Sequence, residues 1–261
     1  MSLLQISALE FEKLLLIILR VGGIMTVAPM FGHRNIPSMV KVGFIIVISI
    51  VLLPTIPASS IDFPPELFSL AGVLVKEVAA GLAIGFTSLF LFIAVQIAGN
   101  IIGLQMGFGI VNVIDPNSST QIPIIGQFQF LMAMLIFLAI DGHHILISAI
   151  AGSFKVIPLG QINFSEVSGE LLVRGAVNTL ALAIKLGAPC IVTLFLLDVS
   201  LGIVARTVPQ MNIFIVGFPL KIGVGLFMLG ISFPIIGYVF SKLLQDLDSN
   251  LNYLIMAMRP A

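Results

Sequence analysis

The residues of this chain that could do chemistry are few, and most of them sit where a charge is costly. Asp141-Gly142-His143-His144 places a carboxylate beside two imidazoles, the side chains that ligate metals or move protons. On a helix, however, adjacent side chains diverge by about 100°, so the tetrad reads as a polar turn between two helices, with no metal expected. Lys185 falls near the middle of an apolar run, 176–197. A lone ammonium there costs at least about 2.5–3.5 kcal/mol, and snorkelling would have to cover half the membrane, so Lys185 needs a partner or a wet groove. Arg20 lies about two turns inside its own apolar run, close enough for its head to snorkel out. Lys76 and Glu77 are neighbours that point apart, which suits a helix end or two separate partners better than one ion pair.

Patterns that would organise such groups into an enzyme are missing. The sequence contains no Gly-x-Ser-Gly serine motif and no pair of membrane aspartates with a Gly-x-Gly-Asp box. Neither His-Glu-x-x-His nor a Gly-x-x-x-x-Gly-Lys-Ser/Thr nucleotide loop occurs. No catalytic residue, cofactor or metal ligand is expected. Twelve basic and twelve acidic residues cancel, which gives no sign of a nucleic-acid partner. Cys190 is alone, which excludes an internal disulfide.

The elements that must position these groups are written in the composition. Of 261 residues, 59% are hydrophobic and 9% charged, against about 25% charged in a typical soluble domain; the mean hydropathy is +1.18. The chain reads as an all-α integral membrane protein. Ser7 and Glu10 resemble a capping box opening a helix that leads into the apolar run 14–31. The run 42–56 follows, short for a span and ended by Pro54 and Pro57. From 67 the chain turns apolar again, and the 37 residues 78–114 carry no charge. As one straight helix these would run about 55 Å, against a hydrocarbon core of about 30 Å. The run should therefore break near Gly99-Asn100 or Gly107–Gly109, or leave lipid.

Within it Gly99, Gly103 and Gly107 recur every fourth residue, and Gly81 and Gly85 repeat the spacing earlier. On a helix such glycines form a flat strip for close helix packing. Polar turn formers follow: Asp115, Pro116, Asn117, Ser118, Ser119, Thr120 and Gln121. A clean span is expected over 122–140, then an apolar run over 145–158. The wet stretch 161–174 comes next, with Asn163 and Glu166 suited to cap a short surface helix. Two long helices, 176–197 and 222–241, are joined by a connector over 198–221 that contains Arg206 and Pro209. In the tail Leu244, Leu247, Leu251, Leu254 and Met258 recur at helical spacing beside Lys242, Asp246 and Asp248. Orientation by basic residues does not resolve, because Arg206 and Lys221 on one side of a helix conflict with Lys242 and Arg259 on the other. Shielding from lipid by partner proteins would give that result.

The run AVQIAGNIIGLQMGFGIVNVIDPNSSTQIPIIGQF, followed by FLAIDGHHILISAIAGSF and IPLG, resembles the FliR family of flagellar biosynthetic proteins, membrane subunits of the flagellar type III export gate. APMFG…IP near the start and VPQMNIFIVGFPLKI late in the chain extend the resemblance over nearly its whole length. The resemblance implies helical hairpins with broken or re-entrant helices. Residues 1–160 would form a FliP-like half containing a plug loop, and 161–261 a FliQ-like hairpin half with an amphipathic tail. It implies one copy in a gate with FliP and FliQ, FlhB around it and FlhA nearby, in the bacterial inner membrane at the flagellar basal body. Unfolded flagellar subunits would be the cargo. The family's pore plug corresponds to the stretch around Ile110, Asn112 and Asp115 through Gln121. A different reading of the residues alone is a secondary transporter for a small solute, with Lys185 and Glu77 or Asp141 as coupling charges, but no inverted repeat of broken helices accompanies them.

Overall fold

A computed structural model describes residues 3–32, 36–57, 66–108, 123–210 and 212–260. Seven α-helices carry the described chain: α1 (Leu3–Val27), α2 (Ser38–Leu52), α3 (Leu67–Gln105), α4 (Ile124–Ala139), α5 (Gly142–Val156), α6 (Glu166–Thr207) and α7 (Ile213–Ala257). A 3-10 turn, Leu53–Thr55, extends α2. Already helical at Leu3, α1 does not start at a Ser7 cap.

The uncharged run behaves in one of the two ways its length allows. Passing Gly99-Asn100 without a break, α3 ends at Gln105, after 39 residues, about 58 Å at 1.5 Å per residue. Gly107 then takes a left-handed conformation, φ +92°, which costs glycine nothing and ends a helix cleanly.

Larger departures from expectation come after residue 160. Glu166 opens no short surface helix; it is the first residue of the 42-residue α6. The cap is Ser165, whose hydroxyl accepts from the Ser168 amide at 3.2 Å, while the Asn163 amide donates to the Met258 carbonyl at 3.1 Å. Most of 198–221 is helix as well, and only 208–212 links α6 to α7. Charge pairing is the reason: Asp198 on α6 pairs with Lys221 on α7, so polar residues that look like a connector are accommodated on two continuous helices. Asn212 caps α7 by accepting from the Phe214 amide at 3.1 Å.

Two compact units divide the chain. The first comprises Met1–Phe90, Leu138–Ala176 and Leu244–Ala261. Its interior includes Leu16, Ile17 and Ile24 of α1, Ile84 of α3, Phe154 of α5, and the tail residues Leu244, Leu247, Leu251, Leu254 and Met258, all buried. The second comprises Leu91–Phe137 and Val177–Leu243. There the Phe92 ring meets Phe137 and Phe240 edge-on, each at 5.4 Å, a favoured aromatic geometry. A neighbouring cluster joins Ile102, Met106, Ile125, Cys190, Leu194 and Leu229. Compactness thus groups separated pieces of chain, a different division from the stretches 1–160 and 161–261 that the resemblance implies.

Candidate functional site

In the first unit a buried charge cluster is assembled from three elements. Arg20 does not snorkel; it and Glu77 are fully enclosed. The Arg20 Nε donates to Glu77 Oε2 at 2.6 Å and Nη2 donates to Oε1 at 3.1 Å, a two-pronged guanidinium–carboxylate pair. Its remaining donor, Nη1, reaches the carbonyls of Ser153 and Ile157 at 3.2 and 3.0 Å. The guanidinium carbon lies 4.5 Å from the Phe154 ring centre, within cation–π range. Glu77 Oε1 also accepts from the Gly160 amide at 2.7 Å. The cluster therefore ties α1 and α3 to the end of α5. Lys76, about 100° further round α3, is exposed, so the adjacent charges serve different surroundings.

Glycine makes the approach of α1 and α3 close enough for this pair. A Cβ on Gly81 would clash with the Arg20 carbonyl and stand 3.0 Å from the Gly23 Cα. One on Gly85 would lie 2.9 Å from the Ile24 carbonyl. In the same unit the Lys13 ammonium donates to the carbonyls of Leu53 and Ile56 at the end of α2. Burial pushes its pKa below the ordinary lysine value, with Glu10 opposing.

In the second unit, α3 and α4 frame the polar stretch between them. A Cβ on Gly99 would sit 2.6 Å from the Gly126 Cα and 2.7 Å from Gln129 Oε1, and one on Gly126 would overlap Asn100 Oδ1. Each glycine thus receives the amide side chain of the facing helix, Gln129 over Gly99 and Asn100 over Gly126. Gly103 is less constrained, its nearest neighbours being Ile125 carbons at 3.4 and 3.5 Å. Gly107 lies beyond the helix, with the Phe218 ring 2.6 Å from where a Cβ would stand. The Asn100 and Gln105 carbonyls and both polar atoms of Gln129 are enclosed without hydrogen-bond partners among the described residues. Sequence reasoning missed Gly126 and Gln129; the signal was the Gly-x-x-Gln spacing at the start of α4, opposite Gly99-Asn100.

The remaining expected sites have simpler placements. Ile110, Asn112, Asp115, Pro116, Asn117, Ser118, Ser119, Thr120 and Gln121 lie outside the described residues. Lys185 is exposed on α6 and takes part in none of the ion pairs found among the described residues. Asp198 and Lys221 line a groove of about 250 Å³ with Phe214 and Phe218. The charges a small-solute carrier would couple are not gathered: Glu77 is committed to Arg20 and Lys185 faces outward.

Four of the described helices are long and apolar enough to cross a membrane, or five spans if α4 and α5, broken at 140–141, count as one. Fold and composition define an all-α integral membrane protein whose charged interior groups are braces between helices. Residues 11–247 match the model of a family described as bacterial export proteins, family 1, and the chain belongs to that family. It is similar to the flagellar biosynthetic protein FliR of Bacillus subtilis (strain 168), 38% identical over 249 residues that cover 91% of this chain and 93% of the relative. Against FliR of Escherichia coli (strain K12) it is 33% identical over 241 residues, 90% and 92% of the two chains. Against FliR of Aquifex aeolicus (strain VF5) it is 30% identical over 256 residues, 98% of each. The resemblance read from the separated motifs is borne out.

Proposed function

We propose that this chain is a non-enzymatic membrane subunit of the flagellar type III export apparatus, part of a protein-conducting gate, with 110–122 as its plug. The observation that carries the proposal is the α3–α4 frame. Two helices are pressed together at Gly99 and Gly126, and the polar stretch containing Asp115 through Gln121 connects their ends. Unfolded flagellar axial proteins would be the cargo, with energy supplied by other components of the apparatus. FliP and FliQ are the proposed immediate partners, FlhB and FlhA further ones, and the bacterial inner membrane at the basal body the location.

Two features favour a chain finished by neighbours. The enclosed side-chain carbonyls of Asn100 and Gln105 and both polar atoms of Gln129 lack partners among the described residues, and such groups cost about 1–3 kcal/mol each until something bonds to them. On α2, only 6% of the apolar window is buried within the chain, and large side chains such as Val177, Phe195 and Ile203 of α6 are exposed. Close packing against sister subunits or lipid would cover them.

Deletion of 117–120 tests the plug. The expected outcome is an assembled complex with FliP and FliQ that leaks small ions in proteoliposomes. A tight membrane after deletion refutes the plug, and loss of co-purification from the intact chain refutes the gate.

A further inference from the structure

The turn Asp141-Gly142-His143-His144 does not diverge as two helical neighbours should. Asp141 precedes α5 with φ 57° and ψ 30°, the one non-glycine residue with positive φ among the described residues. Left-handed backbone costs an ordinary residue roughly 1–2 kcal/mol, and Asp is among the few types that visit it. An aspartate at this position normally caps the helix with its carboxylate. Here the backbone carbonyl accepts from the His144 amide at 2.9 Å while the carboxylate makes no capping bond. It is turned instead toward imidazole, with Asp141 Oδ1 4.0 Å from His143 Nε2.

The second imidazole joins them. The His143 and His144 ring centres are 4.3 Å apart, and one ligand atom from each of the three residues lies within 4.8 Å of the other two. A tetrahedral ion with bonds near 2.0–2.2 Å holds its ligand atoms roughly 3.3–3.6 Å apart, so side-chain rotations of about an ångström close the set. His143 Nδ1 is enclosed, without a hydrogen-bond partner among the described residues, so the imidazole would ligate through Nε2, the nitrogen 4.0 Å from Asp141 Oδ1. Two imidazoles and a carboxylate are the donor set of a divalent transition ion completed by water, and a poor match to calcium or magnesium, which take oxygen. The helix amides at this end disfavour a cation, and the uncommitted Asp141 charge offsets that.

We propose that Asp141, His143 and His144 form a zinc-class binding site that fixes the left-handed turn into α5. The proposal is independent of the gate reading, because it concerns binding and not export. The test is titration of the full chain in detergent, purified without a histidine tag, with zinc and with cobalt as a visible probe. Saturable binding of one ion per chain is expected. Replacing any one ligand should weaken it at least about tenfold, as loss of a ligand exceeds loss of a mere supporting contact. Asp141→Gly is the most informative variant, since glycine accepts the same backbone conformation and removes only the carboxylate. His143→Ala and His144→Ala should weaken binding as well, and His33→Ala, at the chain's third histidine, should leave it unchanged. Absence of saturable binding, retention of full affinity in Asp141→Gly or His144→Ala, or loss in His33→Ala would each overturn the site.

Discussion

Glu77→Gln should be among the most damaging single substitutions in the membrane-embedded interior, although it changes almost no volume. Arg20 and Glu77 are both fully enclosed. The substitution leaves the guanidinium without its counter-charge, while Nη1 keeps its two carbonyls. Breaking one side of a buried ion pair costs about 3–5 kcal/mol, because the partner charge stays desolvated and unpaired. At about 2–4 °C per kcal/mol for a chain in this size range, the thermal midpoint should fall by about 6–20 °C. Removing both charges with Arg20→Met and Glu77→Leu should cost less than Glu77→Gln alone. Replacing the whole pair by apolar groups is often neutral or stabilising by about 1–4 kcal/mol. Against that stands the loss of partners for the Gly160 amide and the Ile157 carbonyl, about 1–3 kcal/mol each. With no tryptophan and two tyrosines, intrinsic fluorescence is a weak probe. Helical circular dichroism of the purified chain is the better readout, with labelling of the single, buried Cys190 reporting on the second unit. A Glu77→Gln midpoint within 2 °C of the parent, or a double variant worse than the sum of the two single ones, would refute the reasoning.

Two glycines of α3, Gly99 and Gly103, should respond differently to the same methyl group. Gly99→Ala must push Gly126 or Gln129 aside and should destabilise by about 1–3 kcal/mol, with weaker co-purification of partner subunits. Gly103→Ala meets only ordinary contact with Ile125 and should be neutral or gain up to about 1 kcal/mol from helix propensity; equal effects at both would remove the frame from the account. At the start of α6, Ser165→Ala removes the acceptor for the Ser168 amide and the donor to the Ala257 carbonyl. It should cost about 0.5–2 kcal/mol, read as a lower unfolding midpoint.

Which of these features was legible in the sequence depended on how far apart along the chain their parts lie. Class was readable because apolar runs, glycine spacing and the tail pattern of Leu244, Leu247, Leu251, Leu254 and Met258 are local, repeated signals, and the family because several separated motifs resemble it in order. The Arg20–Glu77 brace was not, since its partners are 57 positions apart and the Gly160 amide that completes it is a further 83 from Glu77; taken singly, each charge only looked expensive. The same blindness turned 198–221 into a connector. Asp198 and Lys221 read as polar interruptions until they are seen to pair, after which no local reason remains for either helix to stop. At Asp141 the expected polar turn between two helices is found, but the helical spacing rule fails at the helix entrance, where a left-handed Asp141 replaces the 100° step and leaves its carboxylate 4.0 Å from His143 Nε2. In each case a charged side chain in a greasy sequence was read by its cost alone, when its partner decides whether that cost breaks a helix or buries a brace.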